Sequence, residues 1–282
     1  MMLPPLAVSL CDLRADAAEV AGARPARGNL TAQLELVREA GCGLVVLDAA
    51  GAGLRARELD QSARRDVAAM CRRAGVRVVG LDLWVPPGHW AEAARVDRAF
   101  EAAREALGLL ADLHRLTEAG GAGPGVLTVE LPTGAAEAGA AATTLASFCA
   151  GLGVLVADVG AGIWAGEGAG TPEGASMVLG VDPAGEMLTG RDVLVRAGRA
   201  MAARLSDAGP LGRVEVGAGR LDVVSYAAGL ATRDAGRRLG YVTLDVRGVR
   251  PARGEGMDGE LLSGHAGVVR RAAAAWAGAL GV

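Results

Sequence analysis

The feature that most constrains the fold of this chain is a short apolar run that ends in a single acidic residue and recurs along the sequence. Six such runs are Leu44–Asp48, Val76–Asp82, Val126–Glu130, Val154–Asp158, Met177–Asp182 and Tyr241–Asp245. Each has the length and apolar content of a strand that is buried on both faces, as in a parallel sheet. Leu6–Leu10 and Ala202–Ser206 show the same strand pattern, so the sequence predicts eight strands.

Helical patterns separate these strands. The helical segments are Leu30–Ala40, Gln61–Ala74, Trp90–Leu116, Ala135–Ala150, Arg191–Met201, Leu221–Leu239 and Gly264–Leu280. Residues 160–175 contain six glycines and one proline and show no helical pattern, so we expect an irregular fifth unit. The alternation predicts an α/β fold, a (β/α)8 TIM barrel that forms one domain over residues 1–282. A doubly wound open sheet is the alternative, but its GxGxxG fingerprint is absent after the first strand.

Composition narrows the possible partners and the compartment. The net charge is −3 with no basic run, which gives no support to a nucleic-acid partner. No apolar run approaches the roughly 20 residues of a membrane span, and the first residues lack the basic segment of a signal peptide. The four cysteines are scattered without CxxC spacing. We therefore expect a cytoplasmic protein with reduced thiols.

The acids at the strand ends define a candidate site. In a parallel barrel the carboxyl ends of the strands meet at one mouth, where active sites lie. A ring of carboxylates there indicates either a site for a divalent cation or a hydrogen-bonded structural cluster. Glu130 ends the fourth strand and is a candidate general base. Trp84, His89 and Trp90 cluster in the loop after the third strand and are candidate substrate-binding residues.

Four stretches resemble the xylose isomerase-like TIM barrels, a superfamily of sugar and sugar-phosphate isomerases and epimerases with related endonuclease-type barrels. The stretches are Ala40–Asp48, Leu179–Asp192, Arg204–Asp207 and Val216–Asp245. The resemblance covers nearly the whole chain and implies the barrel fold. It also implies a role at the site for Asp207, which matches the family aspartate after the seventh strand.

The resemblance also implies where metal ligands would lie. Metal-binding members use Glu, Asp, His and Glu at positions that correspond to Asp158, Asp182, Arg204 and Asp245. Only Asp182 keeps the family residue type, and an arginine has no lone pair to donate. A second family histidine corresponds to Gly185.

Two cations can relieve the repulsion among Asp158, Asp182 and Asp245. One is a divalent metal such as Mn, Mg, Co or Zn, and the other is the guanidinium of Arg204. We expect Arg204 to be the partner of Asp182 in a metal-free mouth. Arg24 and Arg27, in the loop after the first strand, are further cations within possible reach of an anionic ligand.

By resemblance, the predicted function is sugar or sugar-phosphate isomerisation or epimerisation, in which a proton moves beside a carbonyl through an enediol. The predicted catalytic residues are Glu130, Asp158, Arg204 and Asp207, and the ligand is a small sugar or polyol. The alternative is a non-catalytic barrel that binds a small polyol or acts as an interaction subunit. Phosphodiester hydrolysis requires a His-rich multi-metal site and a basic DNA-binding face, and the sequence has neither.

Overall fold

The computed structural model describes residues 3–13, 28–160, 162–164, 174–232, 239–249 and 264–279. Its strands are β1 (Leu6–Ser9), β2 (Leu44–Asp48), β3 (Arg77–Asp82), β4 (Gly125–Val129), β5 (Val154–Asp158), β6 (Met177–Val181), β7 (Ala202–Leu205), β8 (Asp207–Gly209), β9 (Gly212–Val214) and β10 (Val242–Leu244). Eight of them form a closed barrel in the order β1-β10-β7-β6-β5-β4-β3-β2. All barrel pairs are parallel, whereas β8 and β9 form an antiparallel hairpin. The predicted (β/α)8 barrel is confirmed.

Helices follow most of the barrel strands. They are α1 (Gly28–Glu39), α2 (Gln61–Arg73), α3 (Val96–Leu116), α4 (Ala135–Phe148), α5 (Pro183–Leu188), α6 (Val193–Ala197), α7 (Val223–Ala231) and α8 (His265–Gly278). Aspartates that cap backbone N–H groups begin three of them: Asp60 for α2, Asp192 for α6 and Asp222 for α7. In the described parts of the chain, no helix is both long enough and apolar enough to cross a membrane.

Two predicted helices and one unpredicted hairpin separate the structure from the expectation. The helix predicted to begin at Trp90 begins at Val96, because a 3-10 turn over Pro87–Trp90 comes first. The helix predicted over Arg191–Met201 is shorter in the structure, α6 (Val193–Ala197). A further short helix, α5, precedes it, and Gly190 at a φ of 73° lies between the two. The hairpin of β8 and β9 was not predicted. After β5, the structure describes a 3-10 turn over Gly162–Trp164, and the rest of the irregular fifth connection, residues 161 and 165–173, lies outside the described residues.

Alternate residues of each strand face opposite layers of the core. On β5, Val154 and Val156 belong to the cluster shared with the helices, whereas Leu155 and Ala157 belong to a cluster inside the barrel. Tyr241 packs against two such interior clusters, and its hydroxyl donates to the carbonyl oxygen of Val79 at 2.8 Å. The alternation follows from the two-residue period of a strand. It decides which strand-end acids face the mouth.

Gly80 is required by the close approach of two strands. The register between β2 and β3 shifts by one residue at Val45 and Val46, which directs Gly80 toward the barrel interior. A Cβ at this position would lie 2.7 Å from the carbonyl oxygen of Val126 and 3.3 Å from the Tyr241 hydroxyl. The backbone oxygen cannot move without disturbing β4.

We expect Gly80→Ala to lower the free energy of unfolding by about 1–3 kcal/mol, because the added methyl group overpacks the interior. Gly108→Ala is the matched control. Gly108 lies within α3 with no atom within 4 Å of its added Cβ, so that change should stabilise by about 0.5–1 kcal/mol. Urea unfolding of both variants measures the difference. Equal effects of the two substitutions would contradict the assigned role of Gly80.

Candidate functional site

Six charged side chains meet at the mouth of the barrel. They are Asp82, Asp182, Asp245, Arg204, Arg213 and Arg247, here called the ion-pair network. The carboxylates and Arg204 are almost fully buried, whereas the Arg213 and Arg247 side chains are 18% and 17% exposed. The network therefore has a buried carboxylate layer beneath a partly exposed arginine layer.

Arg204 links opposite sides of the mouth. Its Nη1 and Nη2 donate to Oδ1 and Oδ2 of Asp82 at 2.8 and 2.9 Å, a bidentate pair. Its Nε donates to Oδ2 of Asp245 at 3.0 Å. The Ser9 hydroxyl donates to Oδ2 of Asp82 at 2.6 Å. Burial by itself lowers the pKa of Arg204, but Asp245 and Asp82 outweigh it and raise that pKa well above its ordinary value.

Asp182 has other partners than the one predicted. Its Oδ1 accepts from the Ser206 hydroxyl at 2.6 Å. Its Oδ2 accepts from Nη2 of Arg213 and, at 3.4 Å, from Nη2 of Arg247. The predicted pairing of Asp182 with Arg204 is therefore wrong. Arg204 instead reaches across to Asp82 and Asp245, because its side chain is held below the two arginines that cover Asp182.

Asp245 contacts all three arginines. Its Oδ2 accepts from Arg204, from Arg213 at 3.2 Å and from Nη2 of Arg247 at 2.7 Å. Its Oδ1 accepts from the backbone N–H of Arg247 at 3.0 Å. Burial by itself raises the pKa of Asp245. The arginines, with Arg204 the strongest, outweigh burial and hold that pKa far below the ordinary value.

Sequence reasoning missed Arg213 and Arg247. Arg247 lies two residues after Asp245, and its backbone N–H and its guanidinium both donate to that carboxylate, so the short spacing was the signal for this contact. Arg213 lies on β9, and its contact depends on the hairpin that folds it back over the mouth. The Arg247 guanidinium carbon lies 3.2 Å from the centre of the Trp84 ring, and that of Arg204 lies 5.1 Å away.

Asp158 lies outside the ion-pair network. It has the parity of Val154 and Val156, which face the helices, so its side chain leaves the barrel on the outer side. Its Oδ1 accepts from the backbone N–H groups of Leu131 and Gly160 at 3.0 and 2.7 Å. Its Oδ2 accepts from the Trp164 indole at 3.1 Å. The structure does not bring Asp158 together with Asp182 and Asp245. It fixes the turn after β5.

Glu130 lies exposed at the rim and faces the mouth. Although the residue keeps an exposed surface, the walls of the mouth partly desolvate its carboxyl and raise its pKa; Arg247 and Arg213 oppose the rise, and Asp182 and Asp158 add to it. Asp48, at the end of β2, is half-buried, and desolvation raises its pKa too. The pKa values of these two carboxyls therefore lie above those of ordinary Glu and Asp side chains.

Asp207 organises a loop. Its Oδ1 accepts from the backbone N–H groups of Ala208 and Leu221, and its Oδ2 accepts from those of Gly217 and Gly219, at 2.7–3.0 Å. A Cβ at Gly219 would collide with this carboxylate. The carboxylate thus holds the segment that follows the β8–β9 hairpin. Because all four of its hydrogen bonds come from backbone N–H groups, its role is to position this loop.

The predicted substrate-binding loop divides into separate environments. Trp84 packs against the ion-pair network, and its indole nitrogen is buried without a hydrogen-bond partner among the described residues. Trp90 is buried and donates to the carbonyl oxygen of Glu130 at 3.1 Å. His89 is half-buried and lies 2.7 Å from Nη1 of Arg95. Arg24 and Arg27 lie outside the described residues.

The donor atoms present do not fit a divalent metal. Every carboxylate oxygen of Asp182 and Asp245 accepts from a hydroxyl, backbone or guanidinium donor, and Arg204 contributes no lone pair. Where the resemblance places a second histidine, Gly185 offers no ligand. A Cβ at Gly185 would lie 3.3 Å from Oδ2 of Asp182. Across the described residues, no group of three His, Cys, Asp or Glu side chains is placed to hold a metal ion.

The fold is that of xylose isomerase-like TIM barrel proteins. One such protein from Mycobacterium smegmatis, in complex with magnesium, is 12% identical with a TM-score of 0.61, and the match covers 98% of both chains. D-psicose 3-epimerase in the presence of D-fructose is 12% identical with a TM-score of 0.60, covering 98% of this chain and 97% of that chain. An AP endonuclease of family 2 from Brucella melitensis is 16% identical with a TM-score of 0.54, covering 86% of this chain and 92% of that chain. No family model and no curated protein matches the chain.

We expect Arg204→Met to lower the free energy of unfolding by about 3–5 kcal/mol, because it leaves Asp82 and Asp245 buried without their shared cation. Arg104→Met is the matched control, since Arg104 pairs with Glu101 on the exposed face of α3 and should contribute nothing measurable. Urea unfolding at pH 7 compares the two. Wild-type stability in Arg204→Met would contradict a network held together by this arginine.

We also expect acid sensitivity from Asp245. Because its folded-state pKa lies below the ordinary value of about 4, its contribution to stability is present above that pH and is lost as the pH falls. The raised pKa values of Glu130, Asp48 and Asp158 act in the opposite direction, and their effect lies above about pH 4. Unfolding free energies at pH 7, 4 and 3 should therefore fall most steeply below pH 4.

Asp245→Asn supplies the comparison for this pH profile. It should be less stable than the wild type at pH 7, and its free energy of unfolding should change less between pH 4 and pH 3. A wild-type profile that is flat across this interval, or a slope unchanged by Asp245→Asn, would show that Asp245 is not the titrating group.

Proposed function

We propose that this protein is a metal-independent barrel that binds a small sugar or polyol at its mouth and does not catalyse metal-assisted isomerisation. The observation that carries the proposal is the occupation of Asp182 and Asp245 by Arg213 and Arg247. Metal-assisted proton transfer requires a cation with an open coordination position. Three tethered guanidiniums balance the three carboxylates of the ion-pair network, so these carboxylates carry no uncompensated charge for a divalent ion to neutralise.

The surface of the mouth supports binding of hydroxylated ligands. Arg213 and Arg247 are partly exposed and are held in place by two carboxylates each, so little side-chain freedom is lost when they donate to a ligand oxygen. Trp84 supplies an apolar ring beside them, and Glu130 supplies an exposed acceptor for hydroxyl groups. A polyol presents hydroxyl groups and C–H surfaces, so it can accept from the two arginines, donate to Glu130 and pack its carbons against the Trp84 ring.

A second candidate function is sugar or sugar-phosphate isomerisation or epimerisation without a metal. The raised pKa of Glu130 favours it, because a carboxyl with a pKa closer to neutrality is a more effective general base. Arg213 or Arg247 would donate to the oxygen that becomes negative in the enediol. Asp158 and Asp207 are engaged by backbone N–H groups, so Glu130 would carry the proton transfer alone.

We also propose a cytoplasmic location and no nucleic-acid partner. Cys11, Cys42, Cys71 and Cys149 are all free and buried, as expected in a reducing compartment. Burial raises the pKa of Cys71 to about 12 and that of Cys149 to about 11, so these thiols stay protonated and unreactive. The net charge of −3 offers no electrostatic attraction to a phosphate backbone.

Metal content and ligand binding test the main proposal together. We expect purified protein to contain no stoichiometric Mg, Mn, Co or Zn by elemental analysis. In a thermal-shift panel of sugars and polyols, the bound ligand should raise Tm equally with and without EDTA. At 100 times its Kd it should add about 2.7 kcal/mol of stability, or several degrees. Trp84→Ala should reduce the shift.

Asp182→Ala is the discriminating variant in this panel. Stoichiometric metal in the wild type that is lost in Asp182→Ala would overturn the metal-independent proposal, as would a ligand shift that EDTA abolishes. A ligand shift that is independent of EDTA and reduced by Trp84→Ala supports binding at the mouth.

Deuterium incorporation separates binding from catalysis. The bound sugar is incubated with protein in D2O, and exchange at the carbon beside the carbonyl is followed by NMR. A non-catalytic barrel should incorporate no deuterium above the protein-free rate. Incorporation that is lost in Glu130→Gln, with unchanged ligand binding, would instead establish the second candidate function.

A further inference from the structure

A separate cavity lies inside the barrel, below the ion-pair network. It has a volume of about 90 Å³, and Arg204 closes it toward the mouth. The lining also includes three residues that lie one or two positions before barrel strands: Pro124, Met201 and Gly240. The cavity therefore extends toward the N-terminal ends of the strands. Pro124 and Gly240 are exposed there, which gives the cavity an entrance on the face opposite the mouth.

The cavity exists because the inward residues on several strands are small. Ala157 on β5 and Ala202 on β7 occupy positions that bulky branched side chains fill in most TIM barrels. Both belong to or pack against the interior cluster, so the space is not filled from the helical layer. An apolar wall of this kind stays dry unless polar groups hold water in place.

Two hydroxyls face this cavity without a partner. Thr128 and Thr243 are 7% and 5% exposed and line the cavity from β4 and β10. Among the described residues, neither hydroxyl has a hydrogen-bond partner within reach. Both hydroxyls keep surface that faces the cavity, so an occupant of the cavity can form hydrogen bonds with them. The two hydroxyls line the cavity from opposite strands of the barrel, so each offers a separate hydrogen-bonding point to an occupant.

The lining favours a small organic molecule over water alone. About three waters would fill 90 Å³, and each would need two to four polar partners. Thr128 and Thr243 offer few, and most of the remaining wall is apolar. The charge of Arg204 is already balanced by Asp82 and Asp245, so a charged ligand would lose its hydration without gaining a counter-ion.

We propose that the interior cavity below Arg204 is a second binding site, for a small uncharged alcohol of about four heavy atoms that enters from the N-terminal face of the barrel. Its hydroxyl bonds to Thr128 or to Thr243, which line opposite sides of the cavity, and its apolar carbons pack against Val126, Leu155 and Ala157. The site is independent of the function assigned to the mouth.

Titration of 15N-labelled full-length protein with 2-propanol tests the proposal. We expect saturable shifts in the amide signals of Ala157, Ala202 and Thr243. Ala157→Leu fills the cavity and should abolish saturation. Thr128→Val and Thr243→Val keep the side-chain shape and remove a hydroxyl, so the variant that loses the bonding hydroxyl should weaken 2-propanol binding several-fold. Xenon, which requires no hydrogen bond, should still bind both threonine variants.

Ala202→Leu replaces Ala157→Leu if the latter fails to fold, as judged by circular dichroism. Non-saturable shifts in the wild type would overturn the site. So would saturation that persists when the cavity is filled, because the binding would then lie elsewhere. If the threonine variants bind 2-propanol and xenon as the wild type does, the hydroxyls do not recognise a ligand and the proposed alcohol specificity is wrong.

Discussion

The bidentate bond between Arg204 and Asp82, extended to Asp245, joins strands on opposite sides of the barrel and closes the top of its interior. Each of these groups is nearly inaccessible to water, so each depends on the others for compensation of its charge. Arg213 and Arg247 complete the balance from the layer above. The ion-pair network is therefore electrically neutral, with three carboxylates and three guanidiniums, and the rest of the site is built around that arrangement.

A guanidinium and a metal ion offer a substrate different kinds of contact. A divalent cation can take a substrate oxygen as an additional ligand, whereas an arginine offers only N–H donors in fixed directions. It is also tethered, so it does not exchange with solvent ions. In this barrel Arg213 comes from the β8–β9 hairpin, which Asp207 anchors through the loop that follows. The position of that hairpin thus determines whether the carboxylates are accessible.

The strand-end acids are not equivalent, although the sequence presents them in the same way. Asp82, Asp182 and Asp245 face the mouth, but Asp158 has the opposite parity and holds a turn through backbone N–H groups. A shift of one residue along a strand moves a side chain to the other face. The apolar run Val154–Asp158 is buried on both faces, so its pattern carries no alternation from which the facing side could be read.

The sequence by itself determined the barrel and the strand ends that carry the acids, because strand length, helical periodicity and residue type are local properties. It also placed Asp182 among the acids at the strand ends, where the structure has it. Only the tertiary structure decided the partners: Arg213 reaches Asp182 across 31 positions, and Arg204 reaches Asp82 across 122. Such pairings depend on strand parity and on a hairpin folding over the mouth. The interior cavity likewise results from small side chains on separate strands that meet only when the barrel closes.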